Sequence, residues 1–390
     1  MKRVIRGGMV VTPLDVFAEA DVLCEDGKIV RVGPGIACGE KCETIDAAGL
    51  IVAPGFVDIH VHGSAGHDTM DGTREAIAGM ARFFATRGVT SFCATTLTMG
   101  RRKIMQAVRA VEACMKDPVK GAQPLGVHLE GPYIDKNKKG AQPKRHVRSA
   151  TAAEYQEFFS LGNIRMISLA PEIEENKELI GFARRQGAAV AVGHSSASYE
   201  QMAEAVKLGV NQSTHTFNQM EGIHHRKPGT VGAALLLDEI YAQFIADGIH
   251  LHPAIVDMIV RLKTPKKAVL ITDAIRGAGM PDGDYELGGQ AIIVKDGAVY
   301  LKPKPGKEDK PPTLAGSCLT MDVGVRNLVA FAGVCACEAI EMATLTPARS
   351  IGVSDRKGSL ERGKDADVVL LDEDLNVVST LVMGEVVYHA

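Results

Sequence analysis

One stretch of the chain restricts its fold more than any other: Pro54-Gly55-Phe56-Val57-Asp58-Ile59-His60-Val61-His62-Gly63. An apolar run from Leu50 to Val57 ends in two histidines with a single residue between them. On a β-strand, residues i and i+2 point to the same face, so Asp58, His60 and His62 project together. A strand that presents two imidazoles side by side can hold a divalent cation from one rigid element. Taken alone, the pair could equally be two satisfied core or loop histidines, so the rest of the chain must decide.

From Leu50 onward, strand-like and helix-like segments alternate. The candidate strands are 50–60, 89–96, 124–130, 164–170, 188–194, 209–215, 241–247 and 267–273. Amphipathic segments rich in Ala and Glu lie between most of them, such as Tyr199 to Val206. Most crossovers run to roughly 15–40 residues, the length a βα unit needs. Eight such units predict a closed (β/α)8 barrel, TIM-like, over residues 54–350. The chain has 390 residues, of which 46% are hydrophobic, which suffices for a barrel core and leaves length for a small satellite.

Both chain ends supply material for that satellite. Residues 1–53 read as short strands and tight turns, with Asp26-Gly27 between Asp21–Cys24 and Ile29–Val32 as a hairpin signal. The segment is too small to bury a core alone. Residues 351–390 carry two strand-like runs, 367–372 and 385–389, so the ends are expected to build one β-sandwich and to lie close together. An insertion at about 281–313 contains a hairpin around Lys295-Asp296-Gly297, followed by a Pro-rich stretch from Lys302 to Pro312 that is expected to be mobile.

In a barrel of this type the chemistry sits at the C-terminal ends of the strands. Strand one ends in His60 and His62, strand three in Glu130, strand five in His194, strand six in His215 and strand eight in Asp273. Five of the eight proposed strands thus bring a metal-type ligand or a carboxylate to one end. Imidazoles and carboxylates without thiolates suit zinc, iron, manganese or cobalt. Glu130 could bridge two ions, with His60, His62 and Asp273 on one and His194 and His215 on the other. Such an ion acidifies water and polarises a carbonyl, and Asp273 becomes the candidate acid/base for an amide hydrolysis. His128, two residues before Glu130 on the same strand face, reads as barrel packing or as support for a ligand.

Other classes recede. A net charge of −3 offers no overall basic field for nucleic acid. The start, Met1 to Gly8, is basic without a long apolar region after it, and no run of about 18 apolar residues occurs, so neither a secretory signal nor a membrane span is expected. The eight cysteines include no Cys-x-x-Cys, and several lie in apolar runs, which favours free thiols in a reducing cytoplasm over disulfides.

The motifs assembled so far resemble the amidohydrolase superfamily, and within it the deacetylases of phosphorylated N-acetyl amino sugars. The likeness covers nearly the whole chain. It rests on Pro54–Gly63, His128-Leu129-Glu130-Gly131-Pro132-Tyr133, Val192-Gly193-His194-Ser195, Thr214-His215-Thr216-Phe217-Asn218-Gln219-Met220, Asp247-Gly248-Ile249-His250, Thr272-Asp273-Ala274 and Leu314-Ala315-Gly316-Ser317. His-x-His is common across the superfamily; the Leu-Glu-Gly-Pro, Thr-His-x-x-Asn and Asp-Gly-x-His set is more specific.

The resemblance implies Glu130, His194 and His215 as shared metal ligands and Asp273 as acid/base. It implies substrate contacts at Asn218, Gln219, Arg226, Asp247, His250 and the loop Leu314, Ala315 and Gly316. Arg226 also makes independent sense, because a guanidinium grips phosphate bidentately. Some relatives lack the first histidine pair and use one metal; this chain keeps His60 and His62, which favours two. Where relatives place a substrate-touching histidine after Lys-Lys-Gly, this chain has Lys138-Lys139-Gly140-Ala141 and then Gln142; Ala141 and Gln142 stay among the expected substrate contacts, since glutamine both donates and accepts hydrogen bonds.

The implied reaction is hydrolysis of N-acetyl-D-glucosamine 6-phosphate to glucosamine 6-phosphate and acetate by a homodimer. Alternatives are the galactosamine epimer, a cyclic-amide or dipeptide substrate, and a metal-free scaffold on the same fold.

Overall fold

The computed structural model describes residues 1–13, 15–39, 41–303 and 312–390. Strands from both chain ends lie side by side in one eight-stranded sheet, joined where Val368–Leu371 pairs with Ile51–Pro54. Its order is Glu385–His389, Val377–Val382, Val368–Leu371, Ile51–Pro54, Lys2–Val11, Val16–Glu25 and Lys28–Gly33, with Glu43–Asp46 paired parallel to Lys2–Val11. Alternation along Val368–Leu371 divides its side chains between two cores. Val368 and Leu370 pack with Ile5, Val22 and Val52 inside the terminal unit, while Val369 and Leu371 join the core shared with the barrel. The ends meet as expected, with Arg3 reaching Glu385 at 3.7 Å.

The barrel strands are Phe56–Val61, Val89–Thr95, Gln123–Glu130, Ile164–Leu169, Ala189–Val192, Gln212–Ser213, Tyr241–Phe244 and Ala268–Leu270, parallel and neighbouring in chain order. Three backbone bonds stitch the end of the first strand to the segment after the eighth: Asp273 N–H to His60 O (2.9 Å), and His62 N–H (2.8 Å) and Gly63 N–H (2.9 Å) to Ala274 O. Val57, Ile59, Val269 and Ile271 cluster with Met166, Ala189 and Ala191 of the other strands and with Ala348 and Ile351 at the helix Leu345–Ser350.

The run read as one strand over 50–60 is two, Ile51–Pro54 in the terminal sheet and Phe56–Val61 in the barrel, divided at Gly55. Only glycine fits there: a Cβ on residue 55 would lie 2.1 Å from Thr90 Cγ2. The insertion forms three antiparallel strands, Gly283–Leu287, Gln290–Lys295 and Ala298–Leu301, of which the first was not foreseen. Of the Pro-rich stretch from Lys302 to Pro312, residues 304–311 lie outside the described residues. The free-thiol expectation fails at one place, where Cys38 and Cys42 form a disulfide (Cα–Cα 5.8 Å), while Cys24, Cys93 and Cys114 are buried and free. Among the described residues no helix is long and apolar enough to cross a membrane.

Candidate metal centre and active site

The side chains picked out at the strand ends converge on one spot. His194, His215 and Asp273 each follow a barrel strand with left-handed backbone, at φ 49°, 30° and 49°. Non-glycine residues pay roughly 1–3 kcal/mol for such conformations, which persist where surrounding structure imposes them and cluster at functional sites. Here the strand below and the seam bonds at Asp273 fix the turn.

Two groups result, each with ligand atoms within 4.8 Å of one another: His60, His62 and Asp273, and Glu130, His194 and His215. Glu130 joins them. Its Oε1 is 3.2 Å from Nε2 of both His194 and His215, and its Oε2 is 3.2 Å from His62 Nε2. Asp273 Oδ1 lies 3.4 Å from His60 Nε2 and 3.3 Å from His62 Nε2.

The donor chemistry fits a cation. A proton on His194 Nδ1, given to Lys138 O at 2.8 Å, leaves Nε2 with its lone pair; that atom is 3.2 Å from His215 Nε2. His60 is arranged alike, with Nδ1 3.3 Å from Gln243 Oε1 and a buried Nε2 that has no hydrogen-bond partner. Gln243 is in turn anchored by donating to Gln212 Oε1 at 2.9 Å. Imidazoles fixed through one nitrogen, with the other aimed at a carboxylate pair, are what metal ligation requires.

Electrostatics agree. Burial drives His60 down to about 4 and so keeps it neutral. Burial also depresses His62, but Asp273 and Glu130 outweigh it and raise it to about 10. Burial would raise both carboxylates, yet the surrounding imidazoles hold Glu130 and Asp273 below the ordinary range. The protein alone must therefore keep a proton in the cluster to balance its carboxylates, a role a cation can take over. His128 sits beneath, between Thr95 Oγ1 (3.1 Å) and Ser168 Oγ (2.7 Å), and packs edge-on against His60, so it supports rather than ligates.

Above the metal groups lies an open pocket of about 510 Å³ with its solvent mouth included, lined by Ala141, Gln142, Asn218, Gln219, His250, Leu314 and Gly316, together with Leu97, Gly140 and Leu287 that the sequence did not single out. Asn218 Nδ2 is buried without a partner, a donor free for a ligand. Asp247 does not line the cavity; it accepts the His250 N–H at 2.7 Å and meets His250 Nδ1 at 2.7 Å, so it orients that ring. Ala315 is fully buried and donates its N–H to Val299 O at 3.1 Å, tying the loop to the insertion. Arg226 is not in the cavity. It lies in the exposed segment 221–227 with Nη1 2.7 Å from His225 Nε2.

An eight-stranded barrel with a paired imidazole–carboxylate centre is the arrangement of the amidohydrolases, and the family model for them matches residues 51–387. The chain belongs to the amidohydrolase family. It is 37% identical over 385 residues to the N-acetylglucosamine-6-phosphate deacetylase of Lysinibacillus sphaericus, covering 98% of this chain and 97% of that one. It is 36% identical to the N-acetylgalactosamine-6-phosphate deacetylase of Escherichia coli O157:H7, covering 99% of each. The crystal structure of N-acetylglucosamine-6-phosphate deacetylase from Thermotoga maritima superimposes with a TM-score of 0.87 at 36% identity, covering 99% of this chain and 100% of that one.

Proposed function

We propose that this chain is a metal-dependent deacetylase that hydrolyses N-acetyl-D-glucosamine 6-phosphate to glucosamine 6-phosphate and acetate. The observation that carries the reading is the convergence of His60, His62, Glu130, His194, His215 and Asp273 at the floor of an open pocket, in a chain whose near-full-length relatives carry that name. The two ligand groups would hold two divalent ions, with Glu130 shared; zinc, iron, manganese and cobalt all suit the donor set. The chemistry a divalent ion supplies there is an acidified water and a polarised acetyl carbonyl.

The remaining work falls to this chain. Asp273, kept ionised by its imidazole neighbours, takes the proton of the attacking water and returns it to the sugar nitrogen as the C–N bond breaks. Asn218 offers its free amide N–H to the sugar, and Asp247 holds the His250 ring toward the same cavity. Gln219, Leu314 and Gly316 shape the pocket wall, and Ala315 anchors it to the insertion. Arg226 remains the guanidinium proposed for phosphate, on the exposed segment 221–227 outside the cavity.

The galactosamine epimer is a second reading with an observation of its own, since a relative bearing that name is as similar as those acting on the glucosamine compound. Acetate release from the two phosphorylated epimers and from unphosphorylated N-acetylglucosamine tests the assignment. A strong preference for N-acetylglucosamine 6-phosphate supports it; a preference for the other epimer, or indifference to phosphate, overturns it.

A further inference from the structure

Gln142 occupies the place where the resemblance calls for a substrate contact, yet its polar atoms are already committed elsewhere. It is 4% exposed. Its Oε1 accepts the Thr98 N–H at 2.7 Å, and its Nε2 donates to Glu130 Oε2 at 2.5 Å. The first bond fixes which end of the amide faces the carboxylate, so the donor end meets Glu130. The preceding residue is pinned as well, with Ala141 O accepting from Gln290 Nε2 at 2.5 Å on the insertion strand Gln290–Lys295.

We infer that Gln142 is a positioning residue that sets the orientation of Glu130 and, through it, whether the second ion is held. The inference rests on the metal-dependent reading above. The two carboxylate oxygens have different duties. Oε1 is 3.2 Å from His194 and His215 and 3.6 Å from His60, whereas Oε2 is the atom nearest His62, within the His60–His62–Asp273 group. Gln142 grips Oε2 alone. Without that grip the carboxylate is free to turn about its last bond. Oε1 keeps its imidazole partners, and the group that depends on Oε2 loses its shared ligand. Groups that orient metal ligands through hydrogen bonds typically govern affinity 10–100-fold.

The test is equilibrium dialysis of chelator-stripped protein against buffered free Zn2+, with bound metal counted per chain, for wild type, Gln142→Met and Gln142→Asn. Asparagine keeps the loop polar but is one methylene too short to reach. Wild type is expected to bind two ions. Both variants should hold the first ion with unchanged affinity and the second at least 10-fold more weakly, with a correspondingly smaller rise of Tm on adding metal. Acetate release by the variants should recover at high free Zn2+ without a change in KM, which a substrate-binding role does not allow. Two equal isotherms in wild type and variants, with KM raised instead, overturn the inference and return Gln142 to the substrate. Wild type that binds no ion overturns the metal-dependent reading and this inference with it.

Discussion

Replacing Thr272 by valine removes one hydroxyl at constant shape, and that hydroxyl sits at the seam that closes the barrel. Thr272 Oγ1 donates to Asp58 Oδ2 at 2.5 Å and accepts the Ala274 N–H at 3.2 Å, with both Thr272 and Asp58 buried. Burial pushes Asp58 up to about 7, while hydrogen bonds from Thr272 and the His60 N–H pull against it. The sign of the pH dependence follows. These bonds favour the charged carboxylate, so their loss raises the folded-state pKa further, and the penalty grows as pH rises through 7.

At pH 5 Asp58 is neutral and a lost neutral bond is worth about 1 kcal/mol; at pH 8.5 it is charged and the loss reaches about 2–3 kcal/mol. Urea unfolding of chelator-stripped wild type, Thr272→Val and Thr272→Ser at the two pH values measures this. Serine keeps the hydroxyl and should forfeit less than valine at pH 8.5. Because Asp273 is the next residue, the valine variant loaded with metal should also lose at least ~10-fold in kcat, through misplacement of the acid/base. A destabilisation under 0.5 kcal/mol at pH 8.5, or one equal at both pH values, refutes the reasoning.

Three further perturbations probe other parts of the account. Asp273→Asn should lower kcat by on the order of 10²–10⁴ while substrate binding persists, as loss of an acid/base requires; isotope-labelled substrate binding alongside turnover checks it. Gly193→Ala would place a Cβ 2.7 Å from Thr214 Cβ, between the turns that carry His194 and His215, so it should destabilise by about 1–3 kcal/mol and reduce metal content, read by denaturation and elemental analysis. Lys357→Met strips the buried cation that lies 3.0 Å from Asp365 and 2.5 Å from Asp367, a loss of about 3 kcal/mol near neutral pH. Burial opposes the ionisation of Asp365, but Lys357, with Lys28 and Arg356, brings it to about 2; its contribution is present above about pH 4 and fades as pH falls toward 2, so the gap between wild type and variant should narrow in acid.

The barrel was legible because two independent patterns coincided. Apolar runs such as Val89–Thr95 recur at βα spacing, and five of the eight runs end in His, Glu or Asp. The seam was not legible, since Asp58 and Thr272 are 214 residues apart and nothing local in either marks a partner. The break at Gly55 was hidden for the opposite reason. Residues on both sides are apolar, so periodicity carries no boundary, and only the closeness of Thr90 demands glycine. Gly283–Leu287 escaped because Gly-Asp-Tyr-Glu-Leu is too polar to read as a strand and pairs only within its own small sheet. At the site, ligand types could be named from chemistry, but the role of Asp247 as the brace of His250, the exposure of Arg226 and the grip of Gln142 on Glu130 depend on side-chain directions that residue type does not encode.

The most direct measurement is acetate release from N-acetylglucosamine 6-phosphate by the purified protein as isolated, after chelation, and after divalent metal is restored. The account predicts activity that disappears with the metal and returns with it, at two ions per chain. Undiminished release from protein shown to be metal-free would contradict it.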